Sequence, residues 1–315
     1  MPSSMVRTFS DPDDYAAAIH GARIDLTITG RGQFAAKLIR IDLHRLWMQR
    51  FSDNLPGISH WTITRGRAVI SFRTRPGPSL LWGGVETLPN VVLRHSEGEC
   101  TFQRSSGSLS RAAMSLPVED MVSAGSAAAG LDLTPPGAAL IVIPPPVAMA
   151  RLQRLHATAG YLAEEAPEII ANPHAAHGLE QELIAAMVDC LGKGAADEDR
   201  VAQRQHQLIM RRFRRVLEEK LHESLYITEI CRAIGISIRT LQICCQEELG
   251  MGPKRYLLVR RLHMARRALR AAAPDATTVT DIATRYGFWH LGRFAGEYRS
   301  LFGESPSVML HRQPE

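Results

Sequence analysis

Between Ser237 and Gln246, the side chains Arg239, Gln242, Ile243 and Gln246 fall on one helical face, opposite Leu241 and Cys245. An arginine fork pairs with O6 and N7 of a guanine, and a glutamine amide with N6 and N7 of an adenine, so this face, entered at Ser237, has the chemistry to read base edges. Further along, another stretch places Phe294 and Tyr298 inward and turns Gly292 and Gly296 outward, with Arg293 and Arg299 on its flanks. Each glycine inside a helix costs about 1 kcal/mol relative to alanine. What the pair leaves is a bare strip along which backbone can lie close to a groove. Arg211, Arg212 and Arg299 are the cations expected to meet phosphates.

Both faces need short helices to hold them, and the sequence repeats the same design twice. Residues 227–235, ITEICRAIG, return 52 positions later as residues 279–287, VTDIATRYG. After the first copy come Leu241, Cys245, Leu249, Gly250 and Pro253; after the second come Phe294, Tyr298, Phe302, Gly303 and Pro306, at identical internal steps. Steps of four keep side chains on one face, and glycine followed by proline marks where that helix stops. Each copy therefore reads as helix, tight turn, second helix, stop: a helix-turn-helix unit. Between the copies, Leu258, Leu262, Ala265 and Leu269 recur at helical spacing from Pro253 until Pro274. About 19 residues of helix span about 28 Å, comparable to the roughly 34 Å of one DNA turn. At the start of the second unit, Thr278 and Asp281 form a capping box, which Tyr226 of the first unit is not expected to copy.

Taken with Gly287-Phe288, Ser305-Pro306 and the segment Gly250 to Tyr256, these motifs resemble the DNA-binding region of the AraC/XylS family of bacterial transcription regulators over residues 203–312. The resemblance implies two recognition helices reading adjacent major-groove segments of promoter DNA, in a homodimeric regulator that answers to a small molecule and meets RNA polymerase. It also places His290 and Leu291 at the entrance of the second recognition helix, where family members reach bases. Polar side chains commonly occupy the positions held here by Gly292 and Gly296, so the second unit departs from the family's pattern of direct readout.

Charge divides along the same line. From Arg200 onward 20 Lys and Arg stand against 11 Asp and Glu, a balance of +9, whereas the rest of the chain carries 17 against 21. Arg260, Arg261, Arg266, Arg267 and Arg270 of the spacer helix, together with Arg211, Arg212, Arg214 and Arg215, fit an electrostatic footprint for phosphates. At 315 residues and 45% apolar content the chain suits two domains. The absence of a long apolar run and of a secretory pattern points to a cytoplasmic protein away from membranes. Five cysteines without Cys-x-x-Cys spacing argue against a disulfide framework, and Cys244 and Cys245 read as core residues.

The first 192 residues are expected to form the effector-sensing and dimerisation domain, giving an α+β two-domain chain. Apolar segments around 35–49, 59–73, 79–93 and 101–118, broken at Pro56-Gly57, Pro76-Gly77-Pro78 and Gly107, suggest a β-barrel or sandwich over about 25–146, cupin-like in the family reading. Helices are expected over about 147–191, a linker over 193–202 and the DNA-binding domain over 203–315. His44, His60 and His95 are isolated, with no His-x-His pair, so no metal or other cofactor is expected. No nucleophile motif, phosphate loop or alkyl-acceptor cysteine stands out either, which favours a regulator over the alternatives: a ligand-processing or repair enzyme using the same DNA reader, or a DNA-binding protein without a ligand.

Overall fold

Strand alternation sorts the N-terminal residues into layers. A computed structural model of the chain describes residues 1–192, 194–196, 201–220 and 225–312. Its strands are β1 (Ser3–Phe9), β2 (Ala22–Ile28), β3 (Ala36–Asp42), β4 (Trp47–Asp53), β5 (Gly57–Ile63), β6 (Arg67–Arg73), β7 (Leu80–Trp82), β8 (Val85–Glu86), β9 (Val92–Arg94), β10 (Cys100–Ser105), β11 (Leu109–Pro117), β12 (Leu140–Ile143) and β13 (Ala195–Ala196). The helices of the N-terminal part are α1 (Pro12–Ala18), α2 (Val118–Ala129), α3 (Pro146–Glu165), α4 (Pro167–Ala171) and α5 (Pro173–Gly192). Those that follow are α6 (Val201–Glu219), α7 (Ile227–Ile234), α8 (Ile238–Leu249), α9 (Pro253–Ala271), α10 (Val279–Arg285), α11 (Leu291–Phe302) and α12 (Pro306–Leu310).

Two sheets face each other. One has eight strands in the order β1-β3-β4-β11-β6-β9-β12-β13; the other has five, in the order β2-β5-β10-β7-β8. The barrel expectation therefore needs correcting: the strands form two separate sheets with open edges, not one closed ring. The strand system also starts earlier than residue 25, because β1 pairs with β3 from Ser3 to Phe9. Its polar, weakly alternating sequence hid it.

In β11, Ala112, Met114 and Leu116 point to a core shared with α3 and α5, where Leu152, Ala159, Leu183 and Met187 are buried. The opposite face of the large sheet meets the small sheet and α1 around Phe51, Trp61, Trp82 and Tyr15. The small sheet's outer face then meets the C-terminal helices, since Ile58 and Phe102 join Met210, Phe213, Leu241, Cys245 and Tyr256 in one apolar cluster. A single residue step along β5 or β10 separates these two environments, as the pleat requires.

Of the linker expected over 193–202, residues 193 and 197–200 lie outside the described residues, as do 313–315 at the end of the DNA-binding segment. Ala195 and Ala196 are a strand paired with β12, and α6 begins at Val201. Among the described residues no helix is long and apolar enough to cross a membrane.

Candidate nucleic-acid interface

The first unit is α7, a turn, and α8. Gly235 ends α7 at φ 74°, left-handed backbone that glycine adopts without a Cβ penalty, and its N–H bonds the Cys231 carbonyl at 2.9 Å. Ser237 then caps α8, its Oγ accepting from the Thr240 N–H at 3.0 Å. Leu241, Cys244, Cys245 and Leu249 are buried, which leaves Arg239, Gln242, Ile243 and Gln246 exposed along the outer face, the set the helical phase anticipates. Ser237 is exposed too, but its hydroxyl is already engaged by the cap and by Thr240 Oγ1 at 2.8 Å. Burial raises the thiol of Cys244 to about 11 and pushes Cys231 and Cys245 up as well, so these cysteines pack as protonated core side chains.

The second unit repeats the geometry. Thr278 caps α10 with the Asp281 N–H bonding its Oγ1 at 3.1 Å and the Thr278 N–H bonding the Asp281 carboxylate at 3.0 Å. In the first unit half of this box is present after all: the Glu229 carboxylate accepts from the Tyr226 N–H at 3.1 Å, so the N3 acid compensates for a cap residue that cannot return a bond. Gly287, at φ 76°, makes the turn into α11. Phe288, Phe294 and Tyr298 are buried and pack in series as tilted rings, with centroids 4.7 Å and 5.7 Å apart. His290, Leu291, Gly292, Arg293, Gly296 and Arg299 are exposed. A Cβ built on Gly292 or Gly296 meets nothing within 4 Å, so the bare strip is open. Arg293 is held by Glu297 at 3.0 Å, whereas Arg239, Arg212 and Arg299 have no ion pair among the described residues. Among the described residues Arg211 makes only a long pair, with Glu99 at 3.9 Å.

A groove of about 890 Å³ separates the two units. Its floor is α9, through Lys254, Arg255, Leu258 and Arg261; its walls carry Tyr226 and Ile238 from one unit and Trp289 and His290 from the other. Trp289 is 77% exposed, a large ring standing beside the entrance of α11. The N-terminal part reaches this region as well. Thr29 and Arg31, in the β2–β3 turn, share a cleft of about 200 Å³ with Arg255, Gly296 and Ser300. Sequence reasoning missed Arg31 and Trp289. Arg31 becomes a neighbour of α11 only through docking of the domains, and Trp289 has the character of an ordinary core aromatic until its exposure is known.

The spacer helix departs most from expectation. Arg266 pairs with Asp11 at 2.8 Å, Arg267 with Asp13 and Asp25 at 2.8 and 2.7 Å, and Arg270 with Asp11 and Asp14 at 2.8 and 2.6 Å. These arginines hold the N-terminal domain instead of facing phosphates. Arg260 donates to the Leu217 carbonyl at 3.0 Å, and the Arg261 guanidinium lies over the Phe288 ring. Burial raises the Asp11 carboxyl, but Arg266 and further partners outweigh it and hold Asp11 below the usual carboxylate range. The buried imidazole of His263, lowered to about 4 by burial, is neutral at pH 7, so its Nε2 must be the protonated nitrogen that donates to the Ile28 carbonyl at 3.0 Å. The basic segment thus divides: α8 and α11 face outward, while α9 clasps the N-terminal part.

Residues 230–312 match a family model described as a helix-turn-helix domain. Among curated relatives, the chain is 44% identical over 98 residues to a probable thc operon regulatory protein of Rhodococcus erythropolis, a match covering 31% of this chain and 30% of that one. It is 36% identical over 96 residues to the XylDLEGF operon transcriptional activator of Pseudomonas putida, covering 30% of each. The matched region thus spans only about 30% of the length of these relatives. Among solved structures, the AraC-like transcriptional activator CuxR aligns with 90% of this chain and 100% of its own, at a TM-score of 0.42 and 15% sequence identity.

Proposed function

We propose that this chain, whose C-terminal region is an AraC/XylS-type helix-turn-helix domain, is a sequence-specific DNA-binding transcription regulator acting in the cytoplasm. The observation that carries the reading is the pair of glycine-turned units, each presenting an exposed helix face: Arg239, Gln242, Ile243 and Gln246 on α8, and the Gly292 and Gly296 strip on α11. Base edges are read mainly from α8. In α11, His290 and Leu291 lie at the entrance, while the glycines admit the backbone to the groove. Arg299 and Arg212, free of ion pairs among the described residues, and Arg211 anchor phosphates.

The domain division at about residue 192, a small-molecule effector bound by the N-terminal part, homodimerisation through α3 and α5, and contact with RNA polymerase belong to the same reading. What supports an effector role is that α1 faces both ways. Tyr15, Ala16 and Ile19 of the α1 segment enter the core between the sheets, while Asp11, Asp13 and Asp14 hold arginines of α9. A change between the sheets therefore has a short physical route to the spacer between the two reading helices. The test is selection of genomic promoter fragments by the full chain at physiological salt. Enrichment of a recurring motif supports the reading, and binding without sequence preference overturns it.

A further inference from the structure

Two cations stand beside the C-terminal half of α11 with no partner of their own. Arg31, in the β2–β3 turn, and Arg255, in the first turn of α9, are exposed and make no ion pair among the described residues. Both line the cleft of about 200 Å³ next to Gly296, where Thr29 and Ser300 add hydroxyl groups. Among the described residues lining it, Glu297 is the one carboxylate, and Arg293 already holds it at 3.0 Å. Positive charge and donors are therefore in excess, and an anionic oxygen is what they match.

The backbone that carries Arg31 is braced from several sides. On one limb of the turn the Thr29 N–H bonds the Pro56 carbonyl at 2.9 Å; on the other, Asn54 accepts from the Ala35 N–H at 2.9 Å and donates to the Gln33 carbonyl at 3.0 Å. Phe34 is buried in the core between the sheets. Where β2 enters the turn, the Ile28 carbonyl accepts from His263 of α9 at 3.0 Å. Beyond Arg31, the turn meets the end of α11, since a Cβ built on Gly303 stands 3.8 Å from the Gly32 carbonyl carbon. A cation mounted on backbone fixed in this way gives up little freedom when it binds.

The cleft is also continuous with the recognition surface. Arg255 and Glu297 line both the cleft and the groove of about 890 Å³ between the two units, and Gly296 belongs to the exposed strip of α11. A major groove is bordered by sugar–phosphate strands, so a duplex lying along that strip brings phosphates to the cleft at its edge. We propose that this cleft takes a phosphate of the DNA strand bordering the α11 segment, held by Arg31 and Arg255, so that the N-terminal part contributes directly to the DNA interface. The inference rests on the DNA-binding function proposed above and adds to it a contact from outside the helix-turn-helix units. Guanidinium forks suit two phosphate oxygens, with Thr29 and Ser300 able to donate to a third acceptor. Such a contact fixes position and carries no base information.

The experiment measures affinity of the full chain for a selected promoter fragment and for a scrambled duplex between about 50 and 200 mM salt. Arg31→Ala and Arg255→Ala should each weaken both complexes alike and reduce the slope of log affinity against log salt by about one unit, while Arg31→Lys keeps the slope. Neither alanine variant should melt below the parent, because neither side chain has an ion pair to lose. Duplexes carrying one neutral methylphosphonate linkage at a time locate the phosphate. One linkage bordering the α11 segment should cost the parent the same unit of slope and cost Arg31→Ala nothing further. The proposal fails if folded Arg31→Ala keeps the parent's slope, if it binds DNA more tightly, which would make the turn an obstruction, or if every linkage weakens it as much as the parent. Because the slope is also read on scrambled DNA, a loss of sequence preference overturns the regulator reading and leaves the Arg31 contact separately decided.

Discussion

Arg266 and Asp11, 255 positions apart in sequence, meet at 2.8 Å with side chains only 6% and 12% exposed. Asp11 also caps α1, accepting from the Asp13 N–H at 2.8 Å, so one carboxylate both starts a helix of the N-terminal part and fixes the spacer helix of the C-terminal part. Removing one member of a buried pair strands the other. Arg266→Met should therefore destabilise the chain by about 3 kcal/mol at neutral pH, Arg270 retaining part of the contact. A depressed carboxyl contributes stability above its unfolded pKa and loses it as pH falls through the folded value. The deficit of the variant should accordingly shrink below about pH 4. Melting curves of both proteins from pH 3 to 8 check this.

Glu248 of α8 supplies a pH dependence of opposite sign. Burial against the Gly84 turn, with Glu247 beside it and Arg211 only partly compensating, raises its carboxyl to about 7. Gln207, Arg214 and His60 close the same small cavity, and Glu248 Oε1 has no partner. A raised acid contributes stability that is fully present below its unfolded pKa and lost as pH rises through the folded value. The loss amounts to about 3 kcal/mol at most, at 1.4 kcal/mol per unit. Glu248→Gln should flatten the decline in melting temperature between about pH 5 and 7, and an unchanged slope would place the titrating group elsewhere.

For Arg239, the expectation is specificity. Exposed and without an ion pair among the described residues, its guanidinium is available to a guanine. Arg239→Ala should lower affinity for the selected motif by about 1–3 kcal/mol and change binding to scrambled DNA little. Equal losses on both, read in parallel titrations, would reduce Arg239 to a phosphate contact.

How much of this was legible in sequence depends on whether the signal was local. The helix-turn-helix units were, because glycine turns, Thr278 with Asp281, and four-residue steps to Leu241, Cys245, Phe294 and Tyr298 are fixed by backbone geometry within a few residues. Strand existence was partly legible and closure was not, since the separation of β2 from its sequence neighbours β1 and β3 into the small sheet is a choice of pairing partner. Basic composition counted the α9 arginines correctly and assigned them to the wrong partner. Nothing in Arg266 or Arg267 shows that Asp11, Asp13 and Asp25 occupy them; that is decided by how the small sheet docks. Arg31 was invisible for a related reason, as an arginine in a turn is ordinary surface until docking sets it beside α11.

Gly292 and Gly296 give the sharpest test of how α11 meets DNA. Both lie in the exposed helix with open space where a Cβ would stand, so alanine at either position should keep the fold and add up to about 1 kcal/mol of helix stability. If the backbone approaches the groove along this strip, a methyl group there meets the duplex and operator affinity falls. Arg299→Ala should then weaken binding to every sequence and lower the salt slope by about one unit, the signature of a lost phosphate contact. Arg31, across the cleft from Gly296, should behave likewise if the β2–β3 turn follows the same backbone. If α8 does nearly all the reading and α11 stands off, Gly292→Ala and Gly296→Ala will melt higher and bind as tightly as the parent. Melting temperature and operator affinity measured on the same two variants separate these outcomes, and stabilisation without lost affinity would remove the close-approach model.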